Sequence, residues 1–185
     1  MGSTIILDPY DVWRLTAGLQ VSFEALLQDK LELNLVEGII LPNMKTSGEN
    51  ERCGFLNGEG RCSIHALRPG FCRIFPLGRF YENHSFQYFL QVHECPREPK
   101  LKVKVQKWID TPDLKRNEKF IIDWHYFLKD VTARLGEQNG EQYQKMIDLY
   151  ILKSFYQEEW EKDRDFYEQF DERLTKAKEI LKISG

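Results

Sequence analysis

Cys53-Gly54-Phe55-Leu56-Asn57-Gly58-Glu59-Gly60-Arg61-Cys62, continued by Ser63-Ile64-His65-Ala66-Leu67-Arg68-Pro69-Gly70-Phe71-Cys72-Arg73, holds three of the chain's four cysteines. Its Asn57-Gly58 pair is a strong signal for a two-residue hairpin turn. Such a turn sets Cys53 directly across from Cys62, with Cβ atoms about 4.5–5.5 Å apart, close enough to share one metal ion. A longer turn through Gly60 shifts the register and breaks that pairing, so two readings of the segment stand. Arg68-Pro69-Gly70 marks a further turn that brings Cys72 back, and a strand over residues 86–92 delivers Cys95 ahead of Pro96.

Upstream, Asp8-Pro9 is an N-cap followed by proline at the first helical position, opening a helix through Val12, Trp13 and Leu15 that stops near Gly18. A second helix starts at Ser22 and runs through Leu26, Leu27 and Leu31. Residues 33–41 read as strands around a turn bounded by Pro42, and residues 45–52 as a polar surface loop. Downstream the pattern is helical. Phe120, Ile121, Trp124, Phe127, Leu128, Val131 and Leu135 form one stripe, and Tyr143, Met146, Ile147, Tyr150 and Ile151 a second. Trp160, Tyr167, Phe170, Leu174, Ala177 and Leu181 form a third. The fold class expected is α+β: a mixed cysteine-bearing domain over residues 1–100 and a helical extension over 101–185 packed on it.

The 185 residues include 26 basic and 29 acidic side chains, a formal net charge of -3, and 13% aromatics. That supplies a core and leaves no electrostatic footprint for nucleic acid or an anionic membrane surface. No apolar run approaches the roughly 18–20 residues of a membrane span, and the opening residues lack the pattern of a signal peptide. The expected setting is cytoplasmic, where thiols stay reduced.

Four clustered cysteines in a reducing compartment point to a metal site, a redox site or small buried hydrophobes. The spacing C-x8-C-x9-C-x22-C is not that of a zinc ribbon, but four thiolates suit zinc or an iron–sulfur cluster. Arg52, Arg61, Arg68, Arg73 and Arg79 lie in the same segment and could offset the negative charge of such a site. His65 and His93 have ligand-like spacing but read as structural or surface residues, since four sulfurs suffice. His84 reads as a turn residue and His125 as a packed one. Cys62 with His65 lacks a third group for nucleophilic catalysis, and phosphate-loop and nucleophile-elbow patterns are absent.

Cys53-Gly-Phe-Leu, Gly60-Arg-Cys62-Ser-Ile-His65 and Arg68-Pro69-Gly-Phe-Cys72-Arg73-Ile-Phe75-Pro76, together with the opening Ile5-Ile6-Leu7-Asp8-Pro9-Tyr10-Asp11, resemble the CxxCxxCC family of zinc- or iron-chelating proteins, also called YkgJ-like cysteine-cluster proteins. The resemblance implies metal binding and gives Cys53, Cys62, Cys72 and Cys95 the ligand role, with Arg68, Arg73 and His65 around them. The family's namesake cysteine cluster precedes the Ile-Leu-x-Pro-x-Asp segment, and the sequence here starts at that point. The resemblance then implies either a start internal to the family's pattern, the reading favoured, or a variant that has lost half its site; on both, the site is incomplete in this chain.

The reading is a cytoplasmic protein holding zinc or an iron–sulfur cluster, with a protein partner unspecified and neither nucleic acid nor membrane as partner. Phe55, Phe71, Phe75, Phe80, Phe86, Tyr88 and Phe89 are expected to add cohesion around the site. Two rivals remain: a redox enzyme or a relative of the flagellin lysine N-methylases, and a helical interaction module whose cysteines are structural.

Overall fold

A computed structural model describes residues 5–48, 52–92, 94, 102–137 and 140–183. It is an α+β fold, built on a small sheet with helices to either side in sequence. Helix α1 (Pro9–Leu19) begins where Asp8 Oδ1 accepts the Asp11 N–H at 2.8 Å, with Pro9 pre-set for the first turn. It ends at Gln20, which takes a left-handed φ of 57°. Helix α2 (Phe23–Asp29) is capped by the Ser22 hydroxyl. It stops short of Leu31, which instead opens strand β1 (Leu31–Val36).

Strand β1 turns through Glu37-Gly38, both at positive φ, into antiparallel β2 (Ile39–Met44). That two-residue turn with both centres left-handed is the form that matches strand twist. Pro42 does not end the strand, contrary to the sequence reading. It pairs with Leu33, and its carbonyl accepts the Leu7 N–H from the segment lying along the far edge. Residues 45–52 are more than a loop: β3 (Thr46–Ser47) and β4 (Arg52–Cys53) pair, with Thr46 opposite Cys53.

A 3-10 turn, His65–Leu67, leads into α3 (Gly70–Ile74). Next comes a hairpin of β5 (Leu77–Glu82) and β6 (Ser85–Leu90), turning on Asn83-His84 at positive φ. His84 is thus the turn residue expected, and β6 ends two residues earlier than the 86–92 reading. Helix α4 (Val105–Ile109) sits against α3, where Trp108 Nε1 donates to Phe75 O at 3.0 Å.

Helices α5 (Leu114–Glu137), α6 (Glu141–Leu152) and α7 (Phe166–Leu181) carry the three apolar stripes. A π-helical turn, Lys153–Gln157, follows α6, so Trp160 lies outside the helices, under the Arg173 guanidinium at 3.8 Å. Phe155 and Phe170 are fully buried and pack on Trp124 and Phe120 respectively. Helix α6 is pinned to the sheet because Asp148 Oδ1 accepts the Ile40 N–H at 2.9 Å and Gln144 Nε2 donates to Gly38 O. Tyr156 Oη donates to Leu7 O at 3.0 Å. One continuous apolar cluster runs from Leu7 to Leu181. No helix among the described residues is long and apolar enough to cross a membrane.

Candidate metal centre

The Asn57-Gly58 turn does not form. Neither residue takes positive φ, whereas Gly60 does, at 74°. Asn57 Oδ1 instead accepts the N–H groups of Glu59 and Arg61, and Gly60 N–H returns to Asn57 O at 2.9 Å. The loop is therefore the longer one through Gly60. Cys62 faces Leu56, and Cys53 faces Thr46, so the direct Cys53–Cys62 cross-strand pair is absent.

The three described thiols are nonetheless linked electrostatically. Cys53 on β4, Cys62 at its isolated bridge and Cys72 on α3 are all half-buried and all free. Burial pushes the Cys72 thiol up to about 12; charges on Asp11, Cys53 and Cys62 push the same way, and Arg68 opposes them. Each sulfur thus lies within electrostatic reach of Cys72. Cys95 and His93 lie outside the described residues.

The groups expected around the ligands separate. His65 is exposed. Arg68 is half-buried and close enough to Cys72 for its charge to act there. Arg73 is 8% exposed and turns to backbone, with Nη1 donating to Asp110 O at 2.7 Å and Nη2 to Ala66 O at 3.2 Å. Of the aromatics expected to bind the region together, Phe55 is buried, but Phe71, Phe80 and Phe89 are exposed. The β5–β6 hairpin covers one face only: Tyr81 stacks on His125, while Phe80, one residue away, points to the other side. His125 is packed, as expected.

Sequence reasoning passed over the carboxylates behind the thiols. Asp11, 4% exposed, accepts the Gly70 N–H at 2.8 Å and so holds the first turn of the Cys72 helix. Asp8, Tyr10, Asp11, Arg14, Arg73 and Arg79 line a narrow cleft enclosing about 10 Å³, room for one water. Burial pushes the Asp8 carboxyl up to about 6 against the pull of the Asp11 N–H and Arg79. Burial first, then the Asp8 charge, pushes Asp11 well above the usual carboxylate range. The one available signal was two acids at i and i+3 in the first turn of a largely apolar helix.

A family model described as "Putative zinc- or iron-chelating domain" matches residues 5–96, and over these residues the chain belongs to that CxxCxxCC family. No curated protein matches the chain, and neither does any solved structure. The family defines a metal-chelating class, and the donor chemistry agrees with it. Thiols are ligands for zinc and iron–sulfur centres, and two of them act electrostatically on the third. Among the described residues, no group of three or more His, Cys, Asp or Glu stands close enough to hold a metal ion. The described thiols alone therefore do not form a metal site; what links them is that Cys53 and Cys62 both act electrostatically on Cys72.

Proposed function

We propose that the chain chelates zinc or an iron–sulfur cluster through Cys53, Cys62 and Cys72, with Cys95 as the fourth thiol. The observation that carries this reading is that two free, half-buried thiols on separate short elements, Cys53 and Cys62, lie within electrostatic reach of a third, Cys72. Bound zinc would tie those elements together, and a cluster would add one-electron chemistry. The chain's own residues prepare the site. Asp11 holds the helical turn that bears Cys72, and Arg68 supplies a positive charge that favours the Cys72 thiolate.

Elemental and sulfide analysis of anaerobically purified protein tests this, with Cys53→Ser, Cys62→Ser and Cys72→Ser beside the parent. Zinc near one atom per chain, or iron with matching sulfide, is expected in the parent. Loss of metal and a lower Tm are expected in each variant. A parent without either metal, or variants that retain it fully, would refute the assignment.

A further inference from the structure

Four arginines from distant points of the sequence gather at the start of α3 with few acceptors between them. Arg14 Nη2 and Arg73 Nη2 donate to one and the same oxygen, Ala66 O, at 2.5 and 3.2 Å. Arg68 stands beside them; its charge and that of Arg14 both act on Arg73, and its Nε is buried without a partner. Arg79 Nε is likewise buried and unpartnered, its guanidinium lying over Phe71 and Phe86. Among the described residues, none of the four stands within ion-pair distance of a carboxylate.

Each guanidinium carries five N–H donors and no acceptor. The described bonds of Arg14, Arg68 and Arg73 go to just two neutral backbone carbonyls. Converging like charges repel, and a largely buried charge such as Arg73 is ordinarily matched by an opposite one. The nearby carboxylates supply that match only in part: Asp110 attracts Arg73 and Asp8 attracts Arg79 and Arg14, but among the described residues none forms an ion pair with them. Asp8 Oδ1 is taken by the Asp11 N–H and Asp11 Oδ1 by the Gly70 N–H, so each of these carboxylates already accepts from backbone. The Arg14 bond to Ala66 O is solvent-exposed while Arg73 behind it is only 8% exposed, so the cluster is reached from the Arg14 side.

We propose that Arg14, Arg68 and Arg73 form an oxyanion site beside the thiols, taking the phosphate group of a small ligand. Guanidinium forks match phosphate oxygens in geometry and charge, and an anion here accepts the surplus donors while relieving the mutual repulsion. Arg68, whose charge acts on both Arg73 and Cys72, sets the phosphate next to the proposed metal centre. The role of this site as a substrate pocket rests on the chelation reading; the binding itself does not.

Isothermal titration of the full chain at low ionic strength tests the site, using inorganic phosphate and glycerol 3-phosphate as probes and acetate for comparison. Saturable binding of at least one phosphate is expected, and tighter binding of the ester would identify a phosphorylated metabolite over free phosphate. Arg14→Gln and Arg68→Gln should each weaken it about tenfold, the loss of one charge-assisted bond. Lys176→Gln, a charge change on the exposed face of α7, should leave it unaltered. Absence of saturable phosphate binding, equal binding of acetate, or an equal loss in Lys176→Gln would overturn the proposal. Titration of the Cys62→Ser variant separates the two readings. Phosphate binding in both the parent and Cys62→Ser, with no metal found in the parent, would leave this site standing and the chelation reading refuted. Metal in the parent with no phosphate binding would do the reverse.

Discussion

Replacing Asp8 by Asn isolates the consequence of burying a carboxylate beneath the thiol corner. Asp8 caps α1, and its carboxyl is pushed up from 3.8 to about 6, chiefly by burial. A carboxyl whose folded pKa is raised binds its proton more tightly folded than unfolded. Its contribution to stability is therefore full below about pH 4 and lost as the pH rises through about 6. A rise of about two pKa units corresponds to about 3 kcal/mol in all, of which about 2 kcal/mol disappears between pH 4.5 and 7.5. Asn caps a helix as well as Asp does, so Asp8→Asn keeps the bond to the Asp11 N–H and removes only the charge. Urea unfolding followed by tryptophan fluorescence, at both pH values, gives the quantity directly. The variant should gain about 2 kcal/mol on the parent between pH 4.5 and 7.5, equivalent to about 4–8 °C in Tm. Taking the difference between two pH values cancels any pH-independent packing change. A gain of zero, or a variant that loses ground as the pH rises, would refute the burial argument.

Two further perturbations probe the scaffold and the thiol-bearing turn. Phe155 is fully buried, with the Trp124 ring 4.9 Å away and Phe127 and Phe170 beyond it. Phe155→Ala should destabilise the fold by about 3–5 kcal/mol in the same unfolding assay, and a loss below 1 kcal/mol would contradict that packing. Asp11→Ala removes the acceptor for Gly70 N–H and should loosen α3. Alkylation of Cys72 with iodoacetamide, read by peptide mass spectrometry, should then quicken several-fold relative to Cys53. Asp11→Asn, which keeps an acceptor oxygen, should restore the slow rate; equal rates in all three proteins would show that Asp11 does not hold the turn.

The helices were legible because their signals are local. Asp8-Pro9 and Ser22 sit where they cap, and the stripe from Phe120 to Val131 is a buried face. The cysteine segment was harder because its decisive contacts are made by side chains acting on backbone. Asn-Gly dipeptides favour a tight turn when Asn spends no acceptor on its neighbours. Here Asn57 Oδ1 binds two following N–H groups, and the glycine that takes the left-handed conformation is Gly60. Helix α3 has five residues and no periodicity to read, and its main tether, Asp11, lies 59 residues before Gly70. The hairpin aromatics were misjudged for a different reason. Alternation says that neighbours face opposite ways, but only the position of His125 decides that Tyr81 is covered and Phe80 is not.

The division of labour between core and thiol corner has a physical logic. Cys53 sits on a two-residue strand, Cys62 at an isolated bridge and Cys72 on a five-residue helix. None of these elements is long enough to be stable alone. Each is held by one or two tethers from the larger scaffold: Lys30 Nζ to Gly54 O at 3.3 Å, Ser63 to Phe55 O at 2.8 Å, and Asp11 to Gly70 N–H. The aromatic core around Phe155 is close-packed, and displacement there would open a cavity. Short tethered pieces at the edge can instead move by an ångström while their tethers stretch, with little loss of packing. On the proposed reading, closing a coordination sphere on these pieces draws on that freedom, and the binding free energy appears as added stability of the corner. Metal loading should therefore raise the stability of the thiol corner more than that of the α5–α7 core. The ordering of hydrogen-exchange protection between α3 and α5 would register that difference.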